Sequence, residues 1–369
     1  MNIIADQYLY RLKELIPEGA ILTTFDPKDG FPGNALDFDA LLIRTVTKIN
    51  ADTLPVAGNL KFIGTATAGF DHMDRDHLKR LDIAFGRAAG CNARAVAEYV
   101  ITCLYRWADK READLLQKKV GIVGCGHTGG AVMELLEKLS ISYLPYDPPK
   151  NEIEPAFQTA SLDELLQCDI LTFHTPLTAK GTHPTFHMCN ARWLKHKFDL
   201  IINTARGGVV HEADLLDLYH NDLVGDFIMD VWENEPVFSN RVAENAFIAT
   251  PHIAGYSREA KLRASQMVVD EMCRFFNLQP KSITVADAPD RNNLMRDEDL
   301  SFSDFMWNIN QIDLYDTETR KLIGMPDELK GDGFATLRAE TPTRFEYRTI
   351  LESLDIDVPI PDEFKIFGE

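Results

Sequence analysis

The sequence predicts an α/β protein built on parallel sheets, and three features point there. From Val120 to His252 short apolar runs alternate with amphipathic stretches of helical period. The first 90 residues repeat the same grammar more weakly. A glycine-rich turn, VGIVGCGHTGG at 120–130, joins the first strand of the stronger region to its first helix.

In the first region the short apolar runs Asn2–Ala5, Ala20–Phe25, Ala40–Thr45, Phe62–Thr65 and Ile83–Phe85 have the length of buried strands. NARAVAEYVITCLYRWA, 92–108, reads as a helix leading into the central unit. There the expected strands are Lys119–Gly124, Ile141–Tyr146, Asp169–His174, Asp199–Thr204, Asp226–Val231 and Phe247–Thr250. Helices are expected between them at Gly126–Leu139, Ser161–Gln167, Asn190–His196 and Glu212–His220, with loops at Asp147-Pro148-Pro149 and Arg206-Gly207-Gly208. A long amphipathic helix, Arg258–Phe276, can run back toward the N-terminal unit, so that two helices connect the units as a hinge. Beyond Pro280 the composition shifts to Asp, Asn, Pro and aromatic residues, which suggests a third unit over 285–369 with mixed structure.

A chain of 369 residues is long enough for two or three domains, and its 45% hydrophobic and 26% charged content suits a globular protein. It holds no run of the ~18 apolar residues that a membrane span needs. MNIIADQYLYRLKEL lacks the basic leader and apolar core of a secretory signal, so a cytoplasmic location is expected. The net charge of -19 would repel nucleic acid and anionic membranes, so an anionic ligand needs a local basic pocket. Six cysteines with no CxxC pair indicate neither a metal site nor a disulfide framework, and structural thiols are expected.

Gly124, Gly126 and Gly129 have the spacing of a dinucleotide loop: one glycine for the tight turn, one for approach of a pyrophosphate, one for helix–strand packing. Glycines at a strand-to-helix turn are often only steric, but the next strand ends at Asp147. A carboxylate there can accept ribose hydroxyls and would repel a 2′-phosphate, which favours NAD over NADP.

Three polar residues follow expected strands on the side where an open parallel sheet binds ligands: Arg206 in NTARGG, Glu235 in DVWENEP and His252 in TPHIAG. Each alone has an ordinary explanation, such as a local ion pair or a backbone hydrogen bond. Together beside a dinucleotide loop they suit the oxidation of a 2-hydroxy acid. His252 would take the hydroxyl proton, Glu235 would orient the ring and stabilise its cation, and Arg206 would grip the substrate carboxylate in bidentate fashion. Gly255 lets a ligand come close. Hydroxyls and cations in Arg44-Thr45-Val46-Thr47-Lys48 and in the Gly64–Gly69 loop could hold a phosphate, although threonines also simply suit strands.

GCGHTGG, FHTPLT, NTARGGVV, DVWENEP and PHIAGY resemble the D-isomer-specific 2-hydroxyacid dehydrogenases over about residues 1–280. LLIRTVTKIN, GTATAGFDHMD, GCNARAVAEYV and YDPPK resemble more narrowly the branch that oxidises 4-phospho-D-erythronate in bacterial pyridoxal phosphate biosynthesis. The resemblance implies a homodimer with three domains. They are a doubly wound Rossmann NAD domain (92–257), a flavodoxin-like substrate domain (1–91 and 258–284) and a small α+β C-terminal dimerisation domain (285–369). It implies NAD contacts from Asp147, Thr175, Thr204, Ala205, Arg206, Asp230 and Gly255, substrate contacts from Thr45, Thr67 and Tyr256, and catalysis by Arg206, Glu235 and His252. Arg344, in ETPTRFEY, is expected to serve phosphate or dimer contacts. Oxidation of phosphoglycerate or glycerate, and an NAD-sensing interaction protein of the same fold, are the alternatives.

Overall fold

The computed structural model describes residues 1–193, 196–284, 300–340, 344–353 and 361–368. They divide into two compact units, residues 1–92 with 258–284, and residues 93–257 with the C-terminal segment from 300.

The first unit carries β1 (Asn2–Asp6), β2 (Ile21–Phe25), β3 (Ala40–Ile43), β4 (Phe62–Thr65) and β5 (Ala84–Arg87) in the order β2-β1-β3-β4-β5, every pair parallel. β3 and β4 are buried along their whole length, so they read as continuous apolar runs and not as alternating ones. The helix Arg258–Phe276 covers one face of this sheet, with Val268, Val269 and Met272 in the same apolar cluster as Ile3, Leu42 and Phe62. Its approach is close: a Cβ at Gly64 would stand 2.3 Å from Val268, so a larger residue there would push the helix away.

The second unit carries β6 (Lys119–Val123), β7 (Ser142–Tyr146), β8 (Ile170–Phe173), β9 (Phe198–Asn203), β10 (Val224–Met229) and β11 (Ile248–Ala249). They form one parallel sheet in the order β11-β10-β9-β8-β6-β7. The chain thus reverses direction across the sheet between β7 and β8, on either side of β6, and such a switch point opens a crevice at the carboxyl ends of the strands. Ala93–Arg111 and His127–Lys138 pack on one face with Val100, Leu104, Val132 and Leu136, while Leu215, Phe238 and Val242 line the cluster on the other.

One local difference from expectation has a simple cause. Asp147-Pro148-Pro149 is not a plain loop but the start of a short helix, Pro148–Ile153, with Asp147 as its cap, because proline suits the first helical turn and aspartate satisfies an orphan amide. Of the expected helix Asn190–His196, Ala191–Trp193 form a turn, and Leu194 and Lys195 lie outside the described residues. The segment expected to be a third unit of mixed structure is helical in its described residues, with helices Phe302–Asn310, Ile312–Lys321, Asp327–Glu340 and Tyr347–Ser353 and a 3-10 turn at Asp362–Phe367. It shares apolar clusters with the second unit through Phe305, Tyr347, Phe364 and Phe334, while residues 285–299, 341–343, 354–360 and 369 lie outside the description.

All six cysteines are free and buried. Among the described residues no helix is long and apolar enough to cross a membrane.

Candidate active site

The strand ends of the second sheet carry the expected residues in sequence. Gly124 follows β6, Asp147 follows β7, Thr175 lies just beyond β8, Thr204, Ala205 and Arg206 follow β9, Asp230 follows β10 and His252 lies just beyond β11.

The glycine loop has the steric reasons its spacing suggests. Gly124 turns with φ +89°, a region that side chains rarely adopt. A Cβ at Gly129 would stand 1.9 Å from the Gly124 carbonyl oxygen, so only glycine lets the helix start this close to the strand. Gly126 caps that helix without a side-chain acceptor, and no described atom lies within 4 Å of its missing Cβ. Room is therefore left beside the N-terminus of a 12-residue helix, whose first amides are the donor set a pyrophosphate requires. Asp147 sits at the tip of the next strand, accepting from the Cys125 amide at 2.8 Å and the Lys150 amide at 3.0 Å. The loop and its carboxylate fit an NAD adenosine diphosphate half.

Three chain stretches are bonded to one another around β9, β10 and β11. In the first, the Asn203 side chain accepts from the Ala205 amide at 3.1 Å and donates to the Arg206 carbonyl at 3.2 Å, fixing the turn that presents Arg206. Gly207 then packs so tightly on the Trp232 carbonyl that a Cβ would approach it to 1.8 Å. From the second stretch, the Trp232 indole donates to the Thr250 carbonyl at 2.9 Å. In the third, His252 has φ +59°, an uncommon conformation for a residue with a side chain. Asp230 holds it there. Its carbonyl accepts from the His252 amide at 2.7 Å, and its carboxylate accepts from the Thr250 hydroxyl and the Ile253 amide at 2.7 Å and the Ala254 amide at 3.0 Å.

Within this frame His252 Nδ1 lies 2.8 Å from Glu235 Oε2, and the other Glu235 oxygen accepts from the Trp232 amide at 2.9 Å. The two side chains are about 32% and 23% exposed, so the pair opens to solvent on one side. Burial raises the Glu235 pKa, but the His252 charge and hydrogen bond, the Trp232 amide and Arg338 outweigh it and hold the carboxyl below its ordinary value. An ionised Glu235 accepting at Nδ1 leaves Nε2 to exchange a proton with a ligand. Tyr256 follows at the next turn, its amide donating to the Ile253 carbonyl.

On the first unit, Thr45 is exposed in the turn after β3. Next to it Arg44 grips Asp6 at 2.8 and 3.2 Å. Thr67 is linked to the Thr65 hydroxyl at 2.8 Å and to the Gly69 carbonyl at 2.7 Å.

Arg344 is buried, donating to Glu98 Oε2 at 3.0 Å and to the Ala95 carbonyl, which ties the C-terminal segment to Ala93–Arg111. Two further residues were not anticipated. His174, half-buried, lies between the Thr172 hydroxyl at 3.1 Å and the Thr204 hydroxyl at 3.2 Å, and desolvation of its ring pushes its pKa down to about 3. Its place in FHTPLT at a strand end was the available signal. Arg338 gave none, since it lies far along the chain on a helix of unremarkable pattern.

The family described as D-isomer specific 2-hydroxyacid dehydrogenase, NAD binding domain, matches residues 93–254. The erythronate-4-phosphate dehydrogenase of Pseudoalteromonas translucida is 35% identical over 355 residues, covering 95% of this chain and 94% of its own. That of Psychromonas ingrahamii is 35% identical over 286 residues, 77% and 75% of the two chains. Among solved structures, NAD-dependent formate dehydrogenase from Staphylococcus aureus in complex with NAD superposes with a TM-score of 0.60 at 24% identity, covering 75% of this chain and 96% of its own. The fold is that of these enzymes and NAD is the cofactor. Identity carried over nearly the whole length, on a sheet whose strand ends hold a dinucleotide loop and a histidine–carboxylate pair, places the chain in the erythronate-4-phosphate dehydrogenase family of NAD-dependent D-isomer-specific 2-hydroxyacid dehydrogenases.

Proposed function

We propose that the protein oxidises 4-phospho-D-erythronate to (R)-3-hydroxy-2-oxo-4-phosphooxybutanoate, a step of pyridoxal phosphate biosynthesis in the cytoplasm. The observation that carries the chemistry is the 2.8 Å His252–Glu235 pair, partly open to solvent beyond the strand ends. Likeness to the relatives along most of the chain supports the choice of substrate.

NAD, when bound, supplies the acceptor for the hydride that leaves the substrate's C2. His252 takes the C2 hydroxyl proton at Nε2, and Glu235, ionised and fixed by the Trp232 amide, stabilises the imidazolium that results. The positive charge of Arg206 pairs with the substrate carboxylate and polarises the reacting oxygen. Asp230 acts through the backbone, keeping the His252 ring aimed by bonding the amides that follow it.

In this reading the glycine loop, Asp147, Thr175, the Thr204–Arg206 turn, Asp230 and Gly255 contact NAD, and Thr45, Thr67 and Tyr256 contact substrate. Residues 1–91 with 258–284 form the substrate domain and 92–257 the NAD domain. Residues 285–369 serve dimerisation in a homodimer.

The test is the rate of NAD reduction by the purified protein with 4-phospho-D-erythronate, 3-phosphoglycerate and D-glycerate. The first should be oxidised far faster than the others. Equal or reversed rates would remove this substrate while leaving a 2-hydroxyacid dehydrogenase.

A further inference from the structure

The helix Asp327–Glu340 brings a second arginine to the catalytic pair. Phe334, buried and 6.0 Å from the Phe238 ring, fixes which face of the helix turns inward. One turn later on that face, the Arg338 guanidinium lies 5.8 Å from the centre of the Tyr256 ring and 5.9 Å from that of Phe334. Aromatic faces suit a guanidinium but cannot satisfy its N–H groups. The guanidinium donates one hydrogen bond to the Tyr256 side chain, but the Arg338 Nε atom is buried and meets no acceptor among the described residues.

The charge is held in place despite this. Burial works against it, but Tyr256, Glu235 and Asp230 more than offset burial and raise its pKa above the ordinary arginine value. Arg338 in turn is among the groups that keep Glu235 ionised. A half-buried cation with an idle Nε–H, beside the acid of a catalytic pair and against an expected substrate contact, is a site prepared for an anion. Arg344, six residues on, is already committed to Glu98.

We propose that Arg338 binds the phosphate of the substrate, with the Tyr256 ring as its platform, while Arg206 takes the carboxylate at the other end. This rests on the functional reading above and extends it to the group that separates this substrate from an unphosphorylated acid. A planar guanidinium offers a phosphate two parallel hydrogen bonds, and an acid lacking the phosphate leaves the buried Nε unpaired. The C-terminal segment thereby becomes a specificity element.

The experiment compares the full-length protein with Arg338→Gln and Arg338→Lys, using 4-phospho-D-erythronate and D-erythronate as substrates. NAD binding, followed by quenching of protein fluorescence, serves as a check on the fold. Loss of a charged bidentate contact should raise KM for the phosphorylated acid by ~100-fold in Arg338→Gln and less in Arg338→Lys, while the loss of kcat/KM for D-erythronate, which reports only the support given to Glu235 and Tyr256, should be at least ~10-fold smaller. An equal loss with both acids would show that Arg338 only supports Tyr256 or Glu235 and would overturn the proposal, as would unchanged kinetics. Calorimetric titration with inorganic phosphate separates this from failure of the functional reading. If the wild type oxidises neither acid, weaker phosphate binding in Arg338→Gln still supports the site, and equal binding rejects it.

Discussion

Glu235 Oε2 accepts from His252 Nδ1 at 2.8 Å while the backbone of His252 is bonded to Asp230, so one aspartate sets the position of the ring and one glutamate sets its rotation. The two restraints come from the same strand end, five residues apart, and reach the histidine from the backbone side and the ring side. Positioning of this kind lets a proton pass to or from Nε2 without a search over rotamers.

Removal of the ring tests the first consequence. His252→Ala should lower turnover by ~100-fold or more while NAD still binds, because acid-base catalysis is lost and the glycine loop is untouched. Glu235→Gln keeps the size of the side chain but removes the charge, and should lower kcat by at least ~10-fold at unchanged affinity for NAD. Stopped-flow turnover and fluorescence titration of NAD check both, and a His252→Ala protein with normal turnover would take the residue out of the mechanism.

His174 carries a second prediction, on stability. In the folded chain burial depresses its pKa to about 3 from an ordinary value of 6.5, so the unfolded chain binds the proton first as pH falls. Stability from this group is therefore complete above 6.5 and declines at lower pH, by up to roughly 1.4 kcal/mol per pH unit, until the folded form also protonates. His174→Gln keeps polar atoms near Thr172 and Thr204 but cannot titrate. Its melting temperature should gain on the wild type as pH is lowered from 6.5 to 4.5, and parallel curves would contradict the assignment.

Much of this was legible in the residues. Strand ends could be read because β3, β4, β6, β8 and β9 are largely apolar runs that give way to a polar residue or glycine, and because Arg206, Glu235 and His252 stand three to six positions beyond the ends of β9, β10 and β11. Asp230 was legible as a site residue, but its hold on the amides of residues 252–254 was not, since that depends on the His252 backbone adopting positive φ. The C-terminal segment hid most. It pairs Arg344, which lies between two of its helices, with Glu98, 246 positions apart, and sets Arg338 against Tyr256. Contacts of that separation leave no local pattern, and two arginines in neighbouring turns look alike until the fold gives one an acid and leaves the other an idle N–H.

The Glu98–Arg344 pair supplies the last prediction. Glu98 is fully buried on Ala93–Arg111. It takes the Arg94 Nε–H at 3.0 Å, the Tyr347 amide at 3.1 Å and an Arg344 N–H at 3.0 Å. Burial pushes its pKa up to about 7, with Arg344 and Arg94 opposing and Glu346 adding to the rise. Arg344→Met removes the strongest opposing charge and leaves the buried carboxyl with only Arg94 and the Tyr347 amide, which should cost about 3–5 kcal/mol if it stays ionised. The sign with pH follows from the direction of the shift: the folded chain already binds the proton more tightly than the unfolded one above 4.5, and losing Arg344 widens that difference. The variant should therefore be least stable relative to wild type at pH 8 and recover toward pH 5. Adding Glu98→Gln to Arg344→Met should return a large part of the loss, because a neutral amide can still accept from the Tyr347 amide. Denaturant melts of the three proteins at pH 5 and 8 decide it, and a double variant no more stable than Arg344→Met at pH 8 would show that packing, and not the stranded charge, sets the cost.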